Sequence, residues 1–144
     1  MEWILNLVFS FAASYFFAIL FDSPKRAFLP SGIVGTAGWM TSKILIDLFD
    51  FHQVYGYFFG SMVLGLMCQL MARLVEEPST LFMIPGIIPF VPGGLAYDAT
   101  LKLMLNRINE PLSIMFQITL LSGAIAAGLL FADYLFKIIK WRQV

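Results

Sequence analysis

Asp98 and Lys102 stand four residues apart in "LAYDATLKLML", a stretch otherwise made of apolar and small residues. At that spacing the two side chains share one face of a helix. A charge at the centre of a membrane helix costs about 2.5–3.5 kcal/mol to insert, so ionisable residues there are often functional. Asp98 can bind a coupling proton or a substrate ammonium, or it can serve as a structural partner of Lys102. Just upstream lies "MIPGIIPFVPGG", residues 83–94, with Pro85, Pro89, Pro92, Gly86, Gly93 and Gly94 in a dozen otherwise apolar positions. Each proline lacks a donor and disfavours a helical residue before it. The glycines permit left-handed or strained backbone. We therefore expect two half-helices joined by an unwound or re-entrant stretch, the second beginning near Gly93 or Gly94. A kinked helix, or a turn at the membrane edge, is the simpler alternative. In the first form the free N–H groups and positive dipole end of the second half-helix lie at membrane depth and suit a carboxylate. Discontinuous helices of this kind mark substrate sites in secondary transporters.

The other reactive residue types point elsewhere. Asp133 has Lys137 at i+4 and reads as a snorkelling pair at the inner end of the last span. His52, beside Asp50, reads as a solvated loop histidine. Tyr97-Asp98 and Asp133 invite an aspartyl-protease reading, in which two carboxyls share a proton. The setting "LLFADY" around Asp133 lacks the glycines that reading requires. Cys68 lies within an apolar run, is the single cysteine, and reads as a small buried hydrophobe. The sequence offers no metal-ligand cluster, nucleophile–base set or phosphate loop, so neither an enzyme nor a cofactor or metal is expected.

These residues need elements to hold them, and the composition says which. Of the 144 residues 60% are hydrophobic and 12% charged, whereas a soluble domain carries about 25% charged residues. The charges are segregated. None falls in 3–21, 27–42, 51–72, 78–97 or 111–132. A bilayer core takes about 20 apolar residues per helix, and four of these windows meet that length, the second being slightly short. The expected fold is an all-α polytopic membrane bundle of about five transmembrane helices, one broken at the Pro/Gly motif, forming a single transmembrane domain over 1–144. The spans fall near 3–21, 30–46, 54–72, 84–105 and 111–136, and Pro24 and Pro30 bracket the first turn. The first window lacks a basic lead and a cleavage site, and reads as a retained span rather than a signal peptide. Zero net charge gives no basic patch for nucleic acid. Small residues gather at Ser31, Gly32, Gly35 and Gly38 and recur at Gly56/Gly60, Ser61/Gly65, Gly123/Ala127 and Ala124/Gly128. They imply tight helix packing within the bundle or against a partner, a second copy included.

Lysine and arginine in short loops set orientation. With the first turn on the cytoplasmic side, the inside segments hold Lys25, Arg26, Arg73, Lys137, Lys140 and Arg142, and the outside ones Lys43, Lys102 and Arg107. The expectation is a multi-pass protein of the cell membrane with an outside N-terminus and a cytoplasmic C-terminus.

Three strings resemble one known family. "FDSPKRAFLPSGIVGTAGW", "IPGIIPFVPGGLAYDA" and "EPLSIMFQITLLSGAIAAG" are similar to the first turn and second helix, the P-G-x-x-P-x-x-P-G-x-x-x-Y core and the last helix of the small membrane subunit of the threonine/serine exporter family (ThrE-like, YjjB-like). The resemblance covers most of the chain, and the Pro/Gly core is its most specific part. It implies export of threonine and serine, or of dicarboxylates such as succinate, together with a larger partner subunit, separate or fused. The core motif carries over onto Pro85, Gly86, Pro89, Pro92, Gly93 and Tyr97, and the turn onto Pro24 and Arg26. The family pattern assigns no role to Asp98. The competing reading is a non-transporting membrane scaffold whose backbone breaks only shape packing.

Overall fold

The computed structural model describes residues 1–105 and 109–141. The elements are α1 (Glu2–Leu20), α2 (Lys25–Asp47), α3 (Gln53–Val75), α4 (Thr80–Gly86), a 3-10 turn (Ile88–Phe90), α5 (Gly93–Met104) and α6 (Asn109–Trp141). The described residues form no strand. Among the described residues three helices, α1, α3 and α6, are long and apolar enough to cross a membrane, and α4 to α5, bent by 49°, pass together as a fourth. At 23 residues α2 is also long enough, but less apolar. It buries Ser31, Gly32, Gly35, Gly38 and Ser42, which face protein and so need not satisfy lipid. The all-α membrane bundle of about five crossing units, one broken, is what the chain adopts.

Small residues let the helices close on one another. A Cβ on Gly38 would stand 3.1 Å from the Gly60 carbonyl oxygen, and one on Gly60 would stand 2.8 Å from that of Gly38. The α2–α3 seam therefore admits only hydrogen at both positions. Gly128 of α6 meets Ser61 and the Phe58 carbonyl of α3, and Gly65 meets Ala132. Of the two overlapping small-residue patterns on α6, Ala124/Gly128 is the one turned into the bundle, while Gly123 has open space beside it. Buried Val34, Leu64, Cys68, Phe82, Phe90 and Ile125 belong to the central core.

Helix direction follows from which residues meet. Asn6 pairs with Trp39 and Tyr15 with Phe28, so α1 and α2 are antiparallel. Gly38 meets Gly60 and Ile46 meets Gly56, so α2 and α3 are antiparallel too. The α3–α6 pair differs: Gln117 donates to Gln53 at 3.0 Å and Gln69 to Asp133 at 3.2 Å. Early residues meet early and late meet late, which makes α3 and α6 parallel. The chain between them must therefore cross the bundle once, as a broken span rather than a re-entrant loop. Eleven residues in 80–90 and 12 in α5 give roughly 16 and 18 Å at about 1.5 Å per residue, two halves of one crossing.

Three expectations need correction. Pro30 does not bound a turn; it lies inside α2, which already starts at Lys25 with Pro24 as N-cap. The bond Pro30 cannot donate would go to the carbonyl of Arg26, an exposed residue in the first turn, where water can replace it. Arg73 belongs to the last turn of α3 rather than to a loop. No described glycine has positive φ; Asp22 (52°), Asp50 (52°) and Glu76 (59°) do. Left-handed backbone is used in the interhelical turns, where a helix end needs one such residue, and not at the Pro/Gly motif. Arg107 and Arg142, counted for orientation, lie outside the described residues, as does the side chain of Lys140.

Candidate functional site

The broken span sits at half depth. The midpoints of α2, α3 and α6 are Thr36, Leu64 and Ile125. Gly86 lies against Gly35, Val34 and Leu64, and the Phe90 ring lies against Gly38 and Gly60. Val91 and Pro92 share a cleft with Ser122, Ile125 and Ala126. Most neighbours of the break are thus near the middle of their own helices, while Tyr57 and Asn6, which meet the 3-10 turn, lie nearer the starts of α3 and α1. Irregular backbone at that depth survives only when buried in protein or beside a wet cavity.

The two halves are held differently. α4 and the 3-10 turn carry buried Phe82, Pro85, Gly86 and Phe90, and pack on α1, α2 and α3. Phe90 joins Trp39 at 5.7 Å and Tyr57 at 5.8 Å, both edge-on, which anchors the tip of this half. α5 packs on α6 and buries Ala99. Two clefts open at the break: one of about 280 Å³ toward α6, and one of about 190 Å³ lined by Asn6, Phe9, Ser10, Ala13, Trp39 and Pro89.

α5 begins at Gly93 with Pro92 as N-cap and no side-chain cap. Gly93 and Gly94 are exposed, and a Cβ built on either would meet nothing within 4 Å. Neither has positive φ. Neither packing nor conformation within this chain explains the pair. The Gly93 N–H donates to the Val91 carbonyl at 2.7 Å, and what glycine leaves beyond it is uncovered backbone at a positive helix end.

Asp98 follows in the second turn. Its Oδ2 lies 3.1 Å from Nζ of Lys102, with the Asp98 side chain 46% and the Lys102 side chain 29% exposed. Tyr97 is 69% exposed. The structure thus gathers Pro89, Pro92, Gly93, Gly94, Tyr97 and Asp98 around and just beyond the break, with Lys102 one turn further. Pro85 and Gly86 lie in the packed core beneath it. Pro24 and Arg26 stand apart at the start of α2, Pro24 as its N-cap and Arg26 exposed. Asp133 binds Lys137 at 2.7 Å and accepts from Gln69, while Arg73 stacks over Phe136 at 4.5 Å. These contacts tie the late ends of α3 and α6 together. His52 is exposed and caps α3 by accepting from Val54 N–H at 3.4 Å. Sequence reasoning passed over Asn6, Ser10 and Trp39. The available signal was a lone asparagine inside the first apolar window.

Over residues 6–135 the chain matches the family described as Threonine/Serine exporter, ThrE. The chain belongs to this family. The family and the long apolar helices support an integral-membrane location. Among curated proteins the chain is 25% identical over 140 residues to an uncharacterized protein of Haemophilus influenzae, covering 91% of this chain and 46% of that protein. It therefore spans about half the length of this relative. No solved structure matches.

Proposed function

We propose that this member of the exporter family is the small membrane subunit of an exporter for small amino or carboxylic acids, threonine, serine or a dicarboxylate such as succinate, acting with a larger partner subunit. The observation that carries the reading is the uncapped start of α5 at Gly93-Gly94, at half depth, where no neighbour and no φ value calls for glycine. The Gly93 N–H is taken by the Val91 carbonyl at 2.7 Å, so what this end offers a carboxylate is the Gly94 and Leu95 N–H groups, with no side chain at Gly93 or Gly94 in the way. The partner is supported by the half-exposed Asp98–Lys102 pair. The pair lies along α5 from the break toward the outer end of the span, and the part of it that this chain leaves uncovered gives room for water or another protein surface. The curated relative is about twice the length of the matched segment, which is in keeping with a second unit acting beside this one. The lysine and arginine distribution supports an outside N-terminus and a cytoplasmic C-terminus in the cell membrane.

The test is efflux from vesicles loaded with labelled threonine, serine or succinate, with this chain alone and with the larger subunit. Export of one of these, dependent on both chains, is expected. Undiminished membrane assembly with no efflux of any of the three would favour the scaffold reading.

A further inference from the structure

We propose that the cleft formed by Asn6, Ser10, Trp39 and Pro89 is a binding subsite for a small hydrogen-bond donor, the ammonium or hydroxyl end of an amino acid. The proposal rests on the transport reading above and names residues that the Pro/Gly motif does not contain. Two helices and the broken span meet there: α1 supplies Asn6 and Ser10, α2 supplies Trp39, and Pro89 comes from the 3-10 turn. The volume, about 190 Å³, equals roughly six water molecules at about 30 Å³ each. That is below the 300–1,000 Å³ or so of drug-sized sites and suits a ligand of a few heavy atoms.

The polarity of the cleft follows from a count of what is already used. Trp39 Nε1–H donates to Asn6 Oδ1 at 3.2 Å, Asn6 Nδ2 donates to the Glu2 carbonyl at 3.0 Å, and Ser10 Oγ donates to the Leu7 carbonyl at 3.1 Å. The indole and hydroxyl donors are therefore occupied. A second lone pair on Asn6 Oδ1, the lone pairs of Ser10 Oγ and one amide hydrogen of Asn6 remain. Acceptors outnumber donors, and no charged side chain lines the space. An ammonium or hydroxyl finds acceptors here, whereas a carboxylate finds a single N–H. The site is also prebuilt. Edge-on contacts to Phe90 at 5.7 Å and Tyr57 at 6.2 Å fix the Trp39 ring, and that ring in turn orients Asn6. Because Phe90 and Pro89 share one 3-10 turn, the cleft reports directly on the position of the break.

Trp39 supplies its own probe. The chain has three tryptophans, so Trp3→Phe with Trp141→Phe leaves Trp39 as the single emitter. The full-length chain in vesicles is titrated with threonine, serine and succinate while Trp39 fluorescence is followed. A saturable change with threonine and serine and none with succinate is expected. Asn6→Leu and Ser10→Ala should each raise the half-saturation concentration about tenfold, the worth of a hydrogen bond to a charged group, and should raise the KM of efflux with little change in its maximal rate. If Asn6→Leu fails to accumulate, Ser10→Ala decides alone. Titrations unaltered by Ser10→Ala, or a response to succinate equal to that to threonine, would overturn the subsite. Normal efflux by the variants would sink the subsite while leaving the transport reading intact. Absence of efflux from the parent with its partner would sink the transport reading instead.

Discussion

Replacing Gly93 and Gly94 by alanine separates structure from function, because the two make opposite demands there. Neither glycine has positive φ, and an added Cβ at either meets nothing within 4 Å. Where alanine can adopt the native backbone, Gly→Ala stabilises by roughly 0.4–1 kcal/mol, mainly by restricting the unfolded chain. The Gly93→Ala, Gly94→Ala double variant should therefore gain about 1 kcal/mol and accumulate in the membrane at least as well as the parent. Gly60→Ala is the control. Its Cβ would stand 2.8 Å from the Gly38 carbonyl oxygen and 2.7 Å from Ser42 Cβ, and overpacking of that kind costs about 1–3 kcal/mol. Thermal aggregation in detergent should rank the double variant at or above the parent and Gly60→Ala below it. Efflux measured on equal amounts of protein should fall at least tenfold for the double variant, because two methyl groups then crowd the Gly94 and Leu95 amides at the start of α5. Efflux within twofold of the parent, with stability raised, would refute the idea that the glycines clear backbone for substrate.

Asp98→Asn should accumulate normally but lose export; lowered abundance that is rescued by removing Lys102 as well would instead mark Asp98 as that residue's structural partner. Glu76 holds a left-handed conformation at the end of α3, with φ of 59°. Glu76→Gly should raise the melting temperature, since a non-glycine residue there costs about 1 kcal/mol. In a Cys68→Ala background, Leu48→Cys in the α2–α3 turn should react with an impermeant thiol reagent added outside, and Lys25→Cys should not. The reverse pattern would invert the proposed orientation.

The density of prolines made the broken helix legible, although Pro85 is accommodated inside α4 and Pro89 inside the 3-10 turn, and it is Val91, extended before Pro92, that separates the halves. The start of the second half at Gly93 was legible for the same reason, because Pro92 cannot follow a regular turn. Its depth was not. That depends on α3 and α6 running parallel, which shows only when Gln53 meets Gln117 and Gln69 meets Asp133, each pair 64 residues apart. Local rules also misplaced the left-handed residues. Glycine is the usual carrier, but a helix end needs only one such residue, and Asp22, Asp50 and Glu76 serve. Pro30 read as a breaker because its cost depends on whether the Arg26 carbonyl can reach water, a tertiary fact. The cleft at Asn6 joins residues 33 apart, and no local pattern links them.

The claim on which the account turns is that the start of α5 faces water or substrate at half membrane depth. Gly94→Cys in a Cys68→Ala background, assembled with the larger subunit in intact vesicles, measures this directly. Reaction with a small hydrophilic thiol reagent, slowed by saturating threonine or serine, is the predicted result, while Leu120→Cys on the exposed face of α6 should stay unlabelled. An unreactive Gly94→Cys, or reactivity indifferent to every substrate tried, would contradict it.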